Sequence, residues 1–249
     1  MDLGISGRRA AVAAGTAGLG LGTARALAAE GVAVAVCGRD RARLDAAAAQ
    51  LGSASVAIEA DLSTPEAAAG FIDAAAEQLG GPLDIVVANN GGPAPGQPSA
   101  TPIEDYRRAL DLNCLATIAM CNAAVPAMRS NGWGRLVAIT SIGARQPVQF
   151  LAASTAARSA VTAYVKTLSQ EVASDGVTAN TIQPGSHDTE RIRSLAGAQA
   201  DALRADIPVQ HFGDANDFGS IAAFLCSRQA SFVNGASLIV DGGASRGLQ

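Results

Sequence analysis

The sequence predicts an α/β protein: one doubly wound parallel sheet with helices on both faces, built as a single domain over residues 1–249. Three observations predict it. Short apolar runs alternate with longer Ala- and Leu-rich segments, the pattern of strands joined by crossover helices. Several of those runs are apolar throughout, as strands covered on both sides must be. The alternation also continues from Val12 to Gly243 without a linker, and a chain of this length can bury one large core. In such a sheet, ligands lie outside the carboxyl ends of the strands.

Composition narrows the function classes. The formal net charge of −4 leaves no basic footprint for nucleic acid or anionic lipid, so a small-molecule partner is expected. Cys37, Cys114, Cys121 and Cys226 form no C-x-x-C pair and sit in apolar runs, which reads as buried free thiols in a reducing compartment. There is no charged-then-apolar leader, and no apolar run is expected to reach the ~18 residues of a membrane span. The expectation is a soluble, cytoplasmic protein with no metal site.

Taken in order, Arg9 to Ala14 is a short strand, and GTAGLGLGTARALAAEG after it is a glycine-rich turn opening a helix that stops at Gly31. Glycine there lets the backbone approach a pyrophosphate, and the helix start offers free N–H groups, although glycine turns open many helices that bind nothing. The second strand, Val32 to Cys37, ends in Gly38-Arg39-Asp40 and leads into the helix RARLDAAAAQL. An acidic residue at that strand end would favour NAD. Gly38 followed by Arg39 instead leaves room and charge for the 2′-phosphate of NADP, unless Arg39 is an ordinary surface arginine.

Val56 to Ala60 is a third strand running into Asp61-Leu62, with Asp61 also placed to cap the helix that Pro65 begins. The fourth, Asp84 to Ala88, gives Asn89-Asn90-Gly91-Gly92 and a Gly/Pro-rich loop to Pro102, long enough to line a pocket. A long helix from Ile103 to Met128 carries Asn113, and the strand from Arg135 to Thr140 delivers Ser141 to the mouth of a further helix that runs through Lys166. Val177 to Ile182 is followed by Gln183-Pro184-Gly185-Ser186-His187-Asp188-Thr189, then by a polar helical lid over Glu190 to Asp206. A helix from Asp217 to Cys226 and a last strand within FVNGASLIVDGGASRGL complete the chain.

These motifs, in this order and over essentially the whole chain, resemble the short-chain dehydrogenase/reductase family. The ending DGGASRGL is similar to its 3-oxoacyl-ACP reductase-like branch. The resemblance implies a Rossmann-type fold, a homotetramer or dimer, and NADP(H) as cofactor with NAD(H) as the alternative. It places Gly15, Thr16, Gly18, Leu19 and Gly20 at the pyrophosphate, Arg39, Asp61 and Leu62 at the adenosine, and Asn89 and Gly91 beside the cofactor. Pro184, Gly185 and Thr189 match P-G-x-x-x-T, which meets the nicotinamide carboxamide. Asn113 falls where the family holds a water in a proton relay, or is simply satisfied by a neighbouring carbonyl.

Departures from the family fall at the chemistry. Aligning T-G-x-x-x-G-x-G on Gly18 and Gly20 puts Ala13 and Ala14 where Thr and the first Gly are expected, and Ala88 replaces the first Asn of N-N-A-G. The family's catalytic Ser precedes a Tyr-x-x-x-Lys by thirteen residues; counting from Ser141 gives Ser154 and then Arg158, and no Y-x-x-x-K occurs anywhere. A phenol of ordinary pKa near 10 can be tuned to pass a proton, but an aliphatic hydroxyl is a far weaker acid on a shorter side chain. Arg158 keeps a positive charge for the cofactor ribose, yet its planar fork does not replace an ammonium.

Tyr164 is about 280° round the helix from Ser154, Lys166 is over two turns from Arg158, and Tyr106 has no recommending spacing. His187, in the Pro-Gly loop, remains as a candidate relay, or as a structural histidine. The first functional expectation is an oxidoreductase acting on a small carbonyl or hydroxyl compound with an atypical site. The alternatives are a non-redox enzyme on the same fold (lyase, isomerase or cyclase) and a catalytically silent binding protein.

Overall fold

The computed structural model of the protein describes residues 2–248. Seven strands, β1 (Arg9–Val12), β2 (Ala33–Gly38), β3 (Val56–Glu59), β4 (Ile85–Ala88), β5 (Gly134–Ile139), β6 (Val177–Pro184) and β7 (Ser237–Val240), form one sheet. Its order is β3-β2-β1-β4-β5-β6-β7, and every pairing is parallel. The order reverses between β1 and β4, which opens a crevice at their carboxyl ends.

One face carries α1 (Gly18–Ala29), α2 (Arg41–Leu51) and α9 (Ala215–Leu225) over a core that includes Val12, Val34, Ile85 and Phe218. The other carries α3 (Pro65–Gln78), α5 (Ala116–Ser130) and α6 (Ala152–Val172) over Phe71, Met120, Leu136 and Val165. β4, apolar throughout, and β5, apolar but for a buried Arg135, are covered on both sides, whereas the edge strands β3 and β7 are less buried. Where α1 crosses α9, a Cβ on Gly22 or Gly219 would strike the backbone of the other helix, so these glycines set the close approach.

Three expectations needed correction. The helix starting at Ile103 is continuous to Ser130, but as α4 (Ile103–Ala109), a π-helical turn (Leu110–Leu115) and α5. It is long and apolar enough by length and composition to cross a membrane, against the expectation that no run would be. Half of its most apolar stretch is nevertheless buried against the sheet, as in a core helix. Second, β1 ends at Val12 rather than Ala14, because Ala14 turns the chain with φ of 45°. Third, Thr64 rather than Asp61 caps α3 by accepting from Ala67 N, while Asp61 accepts from Ser63 N in the turn before it.

The segment expected to be a helical lid is two short helices, α7 (Glu190–Ala196) and α8 (Ala200–Ala205). All four cysteines are free and buried, and burial pushes Cys37, Cys121 and Cys226 up to about 12, so none is a ready thiolate.

Candidate active site

The glycine turn is shaped by contacts that tolerate no side chain. A Cβ on Gly15 would lie 2.7 Å from Val36 Cγ1, and one on Gly20 would strike the Ala14 carbonyl and come 2.7 Å from Asn89 Nδ2. Asn89 in turn donates to that carbonyl, at 3.3 Å. Gly18 has φ of 52°, a conformation that favours glycine, and a Cβ there would sit 3.2 Å from Thr189 Cγ2. Thr189 caps α7 by accepting from Ile192 N, so its hydroxyl proton is still available to a ligand. The glycine turn after β1 and the loop after β6, 171 positions apart by numbering (189 − 18), thus meet across the crevice.

At the adenosine end, Gly38 lies against Thr16, and Arg39 faces Asp61 at 3.8 Å with both side chains exposed. Such a pair is weak, leaving Arg39 free to take a phosphate. Leu62 is buried in the core and Gly91 has open space around it. Leu19 packs, half-buried, on the α1 side. The Pro184–Gly185 step sits beside Asp241, whose Cβ would be 2.6 Å from one on Gly185.

Around Ser141 the geometry departs from simple expectation. Ser141 Oγ accepts from Gly143 N at 3.0 Å, capping the 3-10 turn Ile142–Ala144, and keeps its proton to donate. Thr155 Oγ1 is as close to Gly143 as Ser141 Oγ is, each 3.3 Å from a Cβ placed there. Thr155 was not singled out by sequence reasoning; the signal was a second hydroxyl directly after Ser154 on the first turn of α6. Ser154 is buried on that same turn.

Arg158 is buried, and its guanidinium is anchored on backbone carbonyls. Nη1 donates to Ile139 O and Thr140 O, both at 2.9 Å, and Nη2 to Asn90 O at 3.2 Å. Burial first, and the charge of Arg191 second, push it down to about 10, so it is still a cation at neutral pH. Arg191, from α7, donates to Pro93 O at 2.7 Å and lies against Gly92.

Asn113 occupies the π-helical turn, the kind of backbone adjustment that gathers at functional positions. Its Nδ2 donates to Ala109 O at 3.3 Å, and its own carbonyl accepts from Thr117 Oγ1 at 2.7 Å. His187 is buried edge-on against Phe218, with ring centroids 5.1 Å apart, and its Nδ1 faces Gly185 O at 3.2 Å. Burial lowers its pKa, so the ring is neutral at pH 7 and its surroundings are those of a packed side chain. Tyr164 bonds to Asn122 and Tyr106 to Pro98 O, so neither phenol is directed to Ser141.

Buried polar atoms without partners mark the same region. Asn90 Oδ1, Thr140 Oγ1 and both amide atoms of Gln183 belong to residues at the carboxyl ends of β4, β5 and β6, and Asn113 Oδ1 and Thr155 Oγ1 to the helices over them. Such a cluster is costly unless a ligand or water satisfies it. With the glycine cradle, it fits a dinucleotide and a polar substrate. A separate depression of about 430 Å³ lies between α5 and α6, lined by Asn122, Arg129, Tyr164 and Glu171 among others, and neither Ser141, Ser154, Arg158 nor the glycine turn borders it. No group of acids, His and Cys suited to a metal ion occurs among the described residues.

Comparison with known proteins agrees with this arrangement. The family model described as enoyl-(acyl carrier protein) reductase matches residues 13–245. The chain is 34% identical over 216 residues to the "inactive 2-(S)-hydroxypropyl-CoM dehydrogenase 2" of Xanthobacter autotrophicus, covering 84% of this chain and 94% of that one. It is 30% identical to a 2-dehydro-3-deoxy-L-rhamnonate dehydrogenase (NAD(+)) of a Sphingomonas species, covering 96% and 95%. Among solved structures, L-sorbose reductase of Gluconobacter frateurii, complexed with NADPH and L-sorbose, superposes over 100% of both chains with a TM-score of 0.92 at 27% identity.

Proposed function

The chain belongs to the short-chain dehydrogenase/reductase family, and from that premise we propose that it is an NADP(H)-dependent oxidoreductase of a small carbonyl or hydroxyl compound with an altered proton-transfer site. The observation that carries this reading is the meeting of Gly18 and Thr189 across the crevice, which joins the turn that would hold the pyrophosphate to the loop that would hold the carboxamide. Gly15, Thr16, Gly18, Leu19 and Gly20 would hold the pyrophosphate at the start of α1, Asp61 and Leu62 the adenine, and Asn89 and Gly91 the adjoining ribose. Gly38 and Arg39 favour the 2′-phosphate of NADP(H) over NAD(H). Pro184, Gly185 and Thr189 would hold the carboxamide. When bound, the cofactor supplies or removes a hydride at carbon.

The chain's own residues do the rest. Ser141 keeps a free proton and is the donor that orients the substrate oxygen, with Thr155 beside it. Arg158, fixed by three carbonyls, contributes positive charge beneath the developing oxyanion without giving up a proton, since a guanidinium stays charged. Ser154 is too weak an acid to replace a phenol, so the proton comes from water. His187 supports the Pro-Gly loop rather than relaying it. Losing a positioned general acid forfeits roughly 10²- to 10⁴-fold in rate, not all of it.

A second reading, a catalytically silent nucleotide binder, is favoured by the same anchoring of Arg158, since a side chain held by three backbone oxygens serves as a strut. A lyase, isomerase or cyclase on this fold remains the third. The buried thiols suit a cytoplasmic setting, and the exposed Phe232 and Leu238 near β7 suit a homotetramer or dimer.

Calorimetric titration with NADPH and NADH, followed by turnover assays on a carbonyl panel, tests the proposal. NADPH is expected to bind more tightly and Ser141→Ala to lower kcat while leaving the NADPH Kd unchanged. Binding without turnover on any carbonyl supports the silent binder, and conversion that proceeds without nicotinamide supports the non-redox enzyme.

A further inference from the structure

Arg158 and Arg191 fasten to the same short run of backbone. Arg158 comes from α6 and donates to the carbonyl of Asn90; Arg191 comes from α7 and donates to the carbonyl of Pro93 while packing on Gly92. Arg191 thereby bridges the two loops that border the substrate side, the one after β4 and the lid after β6. No ion pair joins either arginine to an acid among the described residues. The acids flanking Arg191 are committed elsewhere: Glu190 pairs with Arg43 at 2.9 Å and Asp188 with Arg193 at 2.8 Å.

Arg158 is buried whereas Arg191 is exposed, and among the described residues neither has a counterion. Three carbonyls occupy Arg158. Arg191 spends one donor on Pro93 and keeps the others of its planar fork for a ligand. An exposed cation with donors to spare, fastened to the same run of backbone as a buried one, is suited to an anion, and its planar fork fits a carboxylate with two parallel hydrogen bonds. The unpartnered Asn90 Oδ1, Thr140 Oγ1 and Thr155 Oγ1 supply polar contacts for the rest of such a molecule.

Building on the oxidoreductase reading above, we propose that the substrate is a carbonyl or hydroxyl compound bearing a carboxylate, and that Arg191 grips the carboxylate while Arg158 keeps its role at the reacting oxygen. The cofactor's pyrophosphate is the other anion within reach of α7. Its cradle, however, is the Gly18 and Thr189 side of the crevice, whereas Arg191 is turned to Gly92 and Pro93 on the substrate loop.

The test uses the full chain as wild type, Arg191→Gln and Arg191→Lys, with circular dichroism confirming the fold of each. Each protein is titrated calorimetrically with NADPH. Then, with and without saturating NADPH, it is titrated with acetate, pyruvate and acetoacetate, and with acetone and methyl acetoacetate as neutral counterparts. Wild type is expected to bind at least one carboxylate about tenfold or more tightly than its neutral counterpart; R191Q loses that difference, R191K keeps part of it, and the NADPH affinity of all three agrees. Equal binding of charged and neutral probes, no probe binding, or a loss in R191Q confined to NADPH overturns the proposal. Arginine-dependent carboxylate binding in a protein that ignores NADPH retains the anion site while removing the oxidoreductase reading.

Discussion

Arg158 Nη2 donates to the main-chain oxygen of Asn90 at 3.2 Å, so a side chain from helix α6 is tied to the loop leaving β4. Its Nη1 spans the end of the neighbouring strand β5 at Ile139 and Thr140. One side chain therefore fastens two adjacent strand ends at the carboxyl edge of the sheet.

If that tie and the missing phenol together set the rate, restoring both groups should raise it. The double variant Ser154→Tyr/Arg158→Lys is expected to reduce carbonyls about 10²- to 10⁴-fold faster than wild type, with each single variant gaining far less because the two groups act as a unit. NADPH oxidation over a ketone panel measures this. A well-folded double variant no faster than wild type would show that the backbone around Arg158 has settled into an incompetent shape.

Among the described residues, the one ion pair of Arg39 is with the exposed carboxylate of Asp61, at 3.8 Å. Replacing it with Ala should weaken NADPH binding by about tenfold, the loss of one exposed charge-assisted contact, and leave NADH binding nearly unchanged. Parallel loss for both cofactors would assign Arg39 to the surface instead.

His187 makes stability depend on pH in a stated window. Burial lowers its folded pKa below the ordinary 6.5, so the unfolded chain takes up a proton more readily as pH falls through 6.5. Stability is therefore complete above 6.5, declines as pH drops from there, and levels off below the folded pKa. Urea midpoints between pH 8 and 5 should fall for wild type, and His187→Phe, which keeps a ring against Phe218, should flatten that part of the curve. An unchanged slope in the variant would locate the titrating group elsewhere.

Ala14 has φ of 45° at the first position of the glycine turn. The left-handed conformation costs an alanine about 1–2 kcal/mol, against roughly 0.5–1 kcal/mol for the greater chain entropy of glycine. Ala14→Gly should hold or raise the Tm by up to about 4 °C, whereas Ala26→Gly inside α1 should lower it. A drop in both would mean that Ala14 is not strained.

Much of the sheet was legible because strand and helix are written locally. The unbroken apolar run at β4 and the glycine turn before α1 need no knowledge of distant residues. The boundaries that failed did so for equally local reasons: Ala14 bends where an alanine is not expected to, and Thr64 took the capping role from Asp61. The π-helical turn at Asn113 left no mark in the periodicity, since one wider turn does not shift an apolar face enough to be noticed. Thr155 escaped because hydroxyls on helices are common and only its closeness to Gly143 sets it apart.

By itself the sequence determined the sheet, the order of its motifs and the absence of any Y-x-x-x-K, because these depend on which residues stand at which spacing. Only the folded chain decided what the replacements do. Spacing cannot say that the Arg158 guanidinium closes on three backbone oxygens, that Arg191 reaches the same loop from α7, or that His187 turns into the packing against Phe218. Those outcomes are settled by competition among distant partners for a few buried positions, and that competition exists only after the strands are laid side by side.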